Sequence, residues 1–236
     1  ARQRSKSGQT LLDGSHLLAA YLASGKQPLH LIINAAAQHD AEIMGLLAKL
    51  PGIALTQLDD ALFGKLTELK TPSGILALIA LPQHEATPQT SNFCLLLEDI
   101  QDPGNLGSML RSAAAAGCDA VFLSRGCADA WSPKVLRAGM GGHFVLNIQE
   151  QADLLGVAAS FPGKIYAASL SARLSLYDSP LRGKIGFAIG NEGAGLSQPL
   201  LEKTKPFIIP MPGQVESLNA AAAAAICLFE AVRQRV

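Results

Sequence analysis

Beyond residue 92, short apolar runs alternate with segments in which apolar residues recur at helical spacing. Residues 93–97 read Phe-Cys-Leu-Leu-Leu, which is typical of a strand buried on both faces of a parallel sheet. The same reasoning predicts strands at 120–123, 145–148, 165–168, 185–189 and 207–209, and helices at 105–116, 132–140, 153–160, 196–202 and from about 218. Such alternation predicts an α/β fold with a mostly parallel sheet covered by helices on both faces.

Residues 1–82 alternate in the same way on a smaller scale. Strand-like runs at 29–33, 53–55 and 75–81 are separated by helical patterns at 15–24, 40–50 and 58–66. No catalytic constellation occurs in this part, so we interpret it as a small α/β binding or scaffolding domain. Residues 82–92 are polar, contain two prolines and have no apolar period. They predict a linker at 83–91 that leads into a second domain at 92–236.

Composition narrows the class of protein. Of the 236 residues, 49% are hydrophobic and 16% charged, which is typical of a compact globular protein. No apolar run approaches the roughly 20 residues of a membrane span and the N-terminus lacks a signal-peptide core, so we interpret the chain as soluble and cytoplasmic. The net charge is zero, so any affinity for nucleic acid must come from local patches. Arg2, Arg4 and Lys6 form one such patch in a polar start that we expect to be mobile.

Several common sites are absent from the sequence. The four cysteines are scattered without a Cys-x-x-Cys pair, and we expect them to be reduced core residues. No histidine lies at ligand spacing from another histidine or cysteine, so we expect no metal. The chain also lacks the dinucleotide Gly-x-Gly-x-x-Gly pattern and the Gly-x-x-x-x-Gly-Lys phosphate loop, which argues against a nucleotide-binding Rossmann enzyme.

The segment after the strand at 93–97 reads as a turn that becomes a helix. A Pro-Gly pair ends the strand direction, and Asn105 is the expected N-cap of the helix. Arg111 should lie over Gly107, whose missing side chain leaves room for the guanidinium, and should reach back toward the turn. A cation near a helix N-terminus at the carboxyl edge of a sheet predicts an anion-binding pocket. The alternative is a surface helix with a solvated arginine.

Two further polar loops follow predicted strands. Residues 190–195 contain three glycines around Glu192, and the glycines free the backbone to approach a ligand. Residues 210–213 carry two prolines and a glycine, and Ser217 and Asn219 then begin the last helix, where either can cap it or bind an anion. Each loop alone is explained as an ordinary βα turn. The shared carboxyl edge of a parallel sheet predicts that they converge.

Three motifs in order carry a resemblance to a known family. They are Asn105-x-Gly107-x-x-x-Arg111, Gly190-Asn-Glu-Gly-x-Gly195, and Ile209-Pro-Met-Pro followed by Ser217-Leu-Asn219. They resemble the motifs of the SpoU (TrmH-like) RNA ribose 2′-O-methyltransferases of the SPOUT superfamily, over residues 92–236. The resemblance implies a C-terminal trefoil knot that binds S-adenosylmethionine, a homodimer, and an N-terminal ribosomal-protein-like RNA-binding domain. Knots are rare exceptions to the connection rules, and periodicity does not predict one.

The resemblance also implies roles for individual residues. Arg111 would act on the ribose 2′-hydroxyl, as a base or as an orienting cation. The residues that would position ribose and phosphate are Asn105, Glu192, Ser217 and Asn219, and those that would line the cofactor pocket are Gly190, Ile209, Met211 and Leu218. The sequence departs from the family at Gly139, where relatives often carry Ser, and in the alanine run 220–225.

The resemblance implies methylation of RNA, and ribosomal RNA is favoured because of the N-terminal domain. The alternatives are a transfer-RNA ribose methyltransferase and a non-catalytic RNA-binding protein of the same fold. A decayed, non-catalytic site would be expected to lose motif residues, and here they are all present.

Overall fold

A computed structural model of the chain describes Arg4 and residues 7–67, 69, 72–82 and 87–236. The strands in these residues are β1 (Gln9–Asp13), β2 (His30–Asn34), β3 (Leu55–Leu58), β4 (Ile75–Ala80), β5 (Phe93–Leu97), β6 (Ala120–Leu123), β7 (Asn147–Gln149), β8 (Lys164–Ala168), β9 (Ile185–Ile189) and β10 (Lys205–Phe207). The α-helices are α1 (Ser15–Ala23), α2 (Ala41–Leu47), α3 (Asp60–Gly64), α4 (Pro103–Ala115), α5 (Pro133–Gly139), α6 (Leu154–Ser160), α7 (Gln198–Lys203) and α8 (Ala220–Arg235). Short 3₁₀ turns lie at Ala35–His39, Pro88–Thr90, Gly142–Phe144 and Leu176–Asp178.

The larger sheet has the strand order β10-β8-β9-β5-β6-β7, and all its pairs are parallel. Every residue of β5 and β9 is buried, as the continuous apolar runs predicted. Alternate residues of β5 point to opposite faces. Leu95 packs in one apolar cluster with residues of α4, α5 and α8, and Leu96 packs in a second cluster with residues of α6 and α7. The prediction of a parallel sheet between two layers of helices is therefore confirmed.

The smaller sheet has the order β1-β4-β2-β3, in which β4 is antiparallel to β1 and β2, and β3 is parallel to β2. The sequence reasoning assigned no strand before residue 29, and β1 is therefore an addition, in which Gln9 to Asp13 pair residue by residue with β4. Thr10 and Leu12 are buried in this strand, a two-residue alternation that the polar surroundings concealed. Arg4 forms an ion pair with Asp129 at 2.6 Å. It is therefore not a free cation for RNA, and Arg2 and Lys6 lie outside the described residues.

Several predicted boundaries are shifted by two residues or more. β3, β7 and β10 lie at Leu55–Leu58, Asn147–Gln149 and Lys205–Phe207, where the sequence predicted 53–55, 145–148 and 207–209. The helix predicted at 58–66 is shorter, at Asp60–Gly64, because Asp59 caps it by accepting a hydrogen bond from the Leu62 N–H. Within the predicted linker, residues 83–86 lie outside the described part and Pro88–Thr90 form a 3₁₀ turn.

The smaller sheet and its helices pack closely against the larger unit. The Thr10 hydroxyl donates a hydrogen bond to the Trp131 carbonyl, and the Tyr21 ring meets the Phe144 ring edge to face at 5.1 Å. Gly141 has a φ of 89°, and a Cβ there would lie 2.5 Å from Cβ of Ala20. One apolar cluster contains buried residues from both units, so the two share a continuous core.

Helices α4 and α5 approach each other so closely that Gly107 leaves no room for a side chain. A Cβ at Gly107 would lie 2.4 Å from Cβ of Ala138 and 2.6 Å from the Val135 carbonyl oxygen. The expectation that Gly107 makes room for the Arg111 guanidinium is therefore wrong. Its missing side chain is needed for packing between helices.

We expect Gly107→Ala to lower the free energy of unfolding by about 1–3 kcal/mol, the usual cost of overpacking a core. The matched control is Gly45→Ala in α2, where nothing lies within 4 Å of the added Cβ. Because alanine is the better helix former, this control should be neutral or stabilising by up to about 1 kcal/mol. Urea unfolding of both variants measures the difference, and equal stabilities would contradict the packing role of Gly107.

His143 is buried beside the end of α5 and the Trp131 ring. Its Nε2 lies 2.8 Å from the Ala130 carbonyl oxygen, so Nε2 carries the proton and donates. Its Nδ1 is buried without a hydrogen-bond partner among the described residues. A Cβ on Gly139 would lie 2.6 Å from Nδ1, so the absence of a side chain at Gly139 accommodates the His143 ring. Burial lowers the pKa of His143 to about 4.

This buried imidazole predicts that stability falls in mild acid. Between pH 6.5 and 4 the unfolded chain binds a proton at His143 that the folded chain does not. The free energy of unfolding should therefore decrease by about 3 kcal/mol as the pH falls through this window. Denaturant unfolding at several pH values should show a smaller decrease for His143→Gln. The exposed control His39→Gln should keep the wild-type dependence, and an unchanged dependence in His143→Gln would contradict the assignment.

Candidate functional site

The three polar loops meet at the carboxyl edge of the larger sheet. Asn105 at the start of α4 donates a hydrogen bond from Nδ2 to Oε1 of Glu192 at 2.8 Å. Asn219 at the start of α8 donates from Nδ2 to Oδ1 of Asn105 at 2.9 Å. Each of the three loops thus contributes one side chain to a single hydrogen-bonded chain. Asn105 is at its centre, because it is the residue that both of the others contact.

The N-cap of α4 is Asp102 and not Asn105, so that expectation is wrong. Asp102 accepts a hydrogen bond from the Asn105 N–H at 2.7 Å, and the helix begins at Pro103. Proline at the first helical position is favoured because its missing N–H would have no partner there. With the cap supplied by Asp102, the amide of Asn105 can hydrogen-bond to Glu192 and Asn219.

Asn219 serves α8 and the site at the same time. Its Oδ1 accepts hydrogen bonds from the N–H groups of Ala221 and Ala222, which makes it the N-cap of the helix. Its Nδ2 is the group that donates to Asn105. The capping hydrogen bonds therefore fix the orientation of the Asn219 amide, so that its Nδ2 faces Asn105.

A cavity of about 400 Å³ lies next to this hydrogen-bonded chain. All four residues predicted to line a cofactor pocket do line it, as do two of the residues predicted to position ribose and phosphate: Gly190, Ile209, Met211, Leu218, Glu192 and Ser217. The sequence reasoning missed the segment 168–171, which also lines the cavity. The sequence signal that could have identified this segment is its position directly after the strand predicted at 165–168. The volume lies in the range of about 300–1,000 Å³ that is typical of small-molecule sites.

The loop 190–195 is folded tightly on itself. Gly190 lies so close to the end of the loop that a Cβ there would be 2.2 Å from the Gly195 carbonyl carbon. The side chain of Asn191 accepts hydrogen bonds from the N–H groups of Gly193 and Ala194. Glu192 is exposed within this loop. The loop therefore presents a carboxylate from a closed, hydrogen-bonded backbone.

Arg111 is exposed on α4 and does not line the cavity. It lies six residues after Asn105, which is about 9 Å further along the helix axis. In the part of the chain that the structure describes, the Arg111 guanidinium makes no hydrogen bond or ion pair. It is therefore a cation that an anionic ligand can approach.

Other kinds of site find no support within the described residues. No group of three or more His, Cys, Asp or Glu side chains there is arranged to hold a metal ion. All four cysteines have free thiols, and three are buried. None of the helices in the described part is both long and apolar enough to span a membrane.

The chain is similar to proteins of known class. The model of the SpoU rRNA Methylase family matches residues 92–229. The 23S rRNA (guanosine(2553)-2'-O)-methyltransferase RlmP of Bacillus subtilis is 34% identical over 234 residues, which cover 97% of this chain and 90% of that protein. The crystal structure of the SpoU methyltransferase AviRb from Streptomyces viridochromogenes with AdoMet has a TM-score of 0.84 at 26% identity, and the match covers 98% of this chain and 92% of that one.

A further solved structure matches a smaller part of the chain. It concerns the 2-OH methylation of C/U34 on tRNA, with a TM-score of 0.56 and 31% identity. The match covers 63% of this chain but 97% of that one.

Proposed function

The chain belongs to the SpoU rRNA Methylase family, and we propose that it methylates a ribose 2′-hydroxyl of RNA with S-adenosylmethionine as methyl donor. The observation that carries this proposal is the chain of hydrogen bonds through Asn105, Glu192 and Asn219 beside the 400 Å³ cavity. It combines a small-molecule pocket with polar groups aimed at one place, as a transfer reaction between two bound molecules requires.

The residues around the cavity fit S-adenosylmethionine. Ile209, Met211 and Leu218 supply apolar surface for the adenosine and methionine parts, and the glycine-rich loop 190–195 supplies exposed backbone. When bound, S-adenosylmethionine supplies a methyl carbon on a sulfonium, whose transfer requires no metal. The chain must then hold the attacking oxygen in line with that carbon.

We assign one role to the Arg111 guanidinium and another to the polar side chains beside the cavity. Asn105, Glu192, Ser217 and Asn219 position the ribose and its phosphate. Arg111 binds phosphate and polarises the 2′-hydroxyl, because a guanidinium is effectively always protonated and is a poor base. A base role for Arg111 is the alternative that the family resemblance leaves open.

Ribosomal RNA is the proposed substrate, with residues 1–82 as its binding domain, 83–91 as linker and 92–236 as catalytic domain. The similarity to RlmP extends over 97% of the chain and so includes the N-terminal unit. The tRNA-related structure matches only 63% of the chain. A relative that also shares the N-terminal unit is the better guide to the substrate.

A C-terminal trefoil knot and a homodimer complete the proposal. Support for the knot comes from the contacts around 174–183, where Ile208 pairs with the backbone of Leu174 and Leu176. Gln234 near the end of α8 bonds to Ser179 and Leu181 of the same segment. Ile208, just after β10, and Gln234 of α8 therefore both contact this segment.

Single-turnover methyl transfer to ribosomal RNA tests the proposed function, with digestion to nucleosides to locate the methyl group. We expect a ribose 2′-O-methyl product, and binding of S-adenosylmethionine that is insensitive to chelator. Arg111→Ala should lower the rate by about 100-fold or more because it removes a group at the reacting oxygen, with cofactor affinity unchanged. Arg111→Lys should restore little, since an ammonium lacks the planar fork of the guanidinium.

The matched control is Arg182→Ala, an exposed arginine that follows the buried Leu181 and lies outside the cavity lining. It should keep the wild-type rate. A near-normal rate for Arg111→Ala, or a methyl group found on a base, would contradict the mechanism. RNA binding by the wild type without any methyl transfer would favour the non-catalytic alternative.

The dimer proposal rests on the outer face of α8. Ala222 and Phe229 are exposed and Ala225 and Ile226 are half-buried, at the spacing of one helical stripe. Small residues at 222 and 225 permit a second helix to approach closely. Ala222 and Ala225 of this stripe belong to the alanine run 220–225. The alanine run therefore lies on the proposed interface.

Light scattering at micromolar concentration tests this interface. We expect the wild-type chain to be a dimer, and Phe229→Glu to shift it to a monomer, because a buried unpaired carboxylate is costly at an apolar interface. Leu62→Glu on α3 is the control, since Leu62 is 47% exposed and Phe229 is 48% exposed. A monomeric wild type, or a dimeric Phe229→Glu variant, would refute the assignment.

A further inference from the structure

Two consecutive acidic residues follow β5, and both bond to the loop after β9. Glu98 accepts two hydrogen bonds from Ser197, one from its N–H and one from its hydroxyl, each at 2.7 Å. The carbonyl oxygen of Asp99 accepts a hydrogen bond from Nδ2 of Asn191 at 2.9 Å. Because β5 is the direct neighbour of β9 in the sheet, these two residues can hold the loop 191–197 at both ends.

Asp99 makes its contact from an unusual backbone conformation. Its φ is 55°, in the left-handed region that residues other than glycine, asparagine and aspartate seldom adopt. Ser124, which follows β6 on the other side of β5, holds it there. The Asp99 N–H donates to Oγ of Ser124 at 2.9 Å, and the Ser124 hydroxyl donates to the Asp99 carboxylate.

Gly126 leaves the space that the Asp99 carboxylate occupies. A Cβ at Gly126 would lie 2.2 Å from Oδ1 of Asp99. Asp99 itself follows β5, and it bonds to Ser124 after β6 and to Asn191 after β9. It therefore connects the ends of three adjacent strands.

The anchored Asn191 determines where Glu192 lies. Its Nδ2 is bound to Asp99, and its Oδ1 accepts the N–H groups of Gly193 and Ala194, so the amide is fixed on both sides. Glu192 is the residue between Asn191 and these two N–H groups. Its carboxylate reaches Asn105 at 2.8 Å. A displacement of Asn191 would therefore move Glu192 away from Asn105.

We propose that Glu98 and Asp99 are positioning residues for methyl transfer, which hold the loop 191–197 so that Glu192 stays in contact with Asn105. Neither residue lines the cavity, so they act through the loop and not on the ligand. The inference rests on the proposed function, because it assigns these residues to that reaction.

The first measurement is amide hydrogen exchange at Gly193 and Ala194 in the full-length protein. Their N–H groups are protected by Asn191, so Asp99→Ala should speed their exchange, since alanine disfavours the left-handed backbone and cannot accept the Ser124 hydroxyl. Asp99→Asn should leave exchange slow, because asparagine tolerates this conformation and keeps an acceptor oxygen. Gly126→Ala should behave like Asp99→Ala, because the added Cβ displaces the carboxylate without altering Asp99.

The second measurement is methyl transfer by the same variants. Asp99→Ala and Gly126→Ala should lower kcat by about 10- to 100-fold, the usual cost of misplacing a group by about 1 Å. The KM for S-adenosylmethionine should change less, because the 209–220 side of the cavity is untouched. Glu98→Gln keeps only one of two acceptor oxygens and should show a smaller loss, and Asp99→Asn should restore the rate. A merely structural role would not separate kcat from KM in this way.

Glu202→Ala on α7 is the matched control, since it removes an exposed acid whose partner, Gln198, lies on the same helix. It should keep wild-type exchange and rate. Faster exchange in Asp99→Ala with an unchanged kcat would overturn the inference, as would slow exchange in both Asp99→Ala and Gly126→Ala. If the wild type transfers no methyl group while exchange responds as expected, the proposed function fails and the anchoring of the loop stands.

Discussion

The site depends on one amide, that of Asn105. Its Nδ2 donates to Glu192 and its Oδ1 accepts from Asn219, so both ends of the amide are used and its orientation is determined. These two bonds join loops that are far apart in sequence. The amide is available because Asp102 caps α4 three residues earlier. A helix cap, a local feature, thus makes possible the long-range contact on which the arrangement of the site depends.

Close packing connects this site to the N-terminal unit. Gly107 lets α4 contact α5, and Gly141 lets the segment after α5 contact Ala20 of α1. The core is continuous through these contacts, so the proposed RNA-binding unit and the helix that carries Asn105 and Arg111 form one packed body. A closely packed core has low compressibility, so a displacement of one unit would be transmitted to the other. RNA bound by the first unit would therefore be presented to α4 in a defined position.

Electrostatics act locally in this chain, which has no net charge. Arg4 is neutralised by Asp129, whereas Arg111 has no partner within the described part of the chain. A permanent cation that is not paired can hold a phosphate and orient a hydroxyl without a metal. For a neutral protein, the placement of such single groups matters more than the overall field.

The sequence by itself determined the strand and helix types in the larger unit and the three loops of the site, because period, punctuation and capping residues are local signals. It also indicated the family through motif residues in order. Tertiary structure alone decided that β9 lies beside β5, that Asp99 holds Asn191, and that the residue at 139 faces His143. It likewise paired β1 with β4, where the sequence reasoning assigned no strand. Each of these depends on which segments become neighbours in space, and local periodicity carries no information about that.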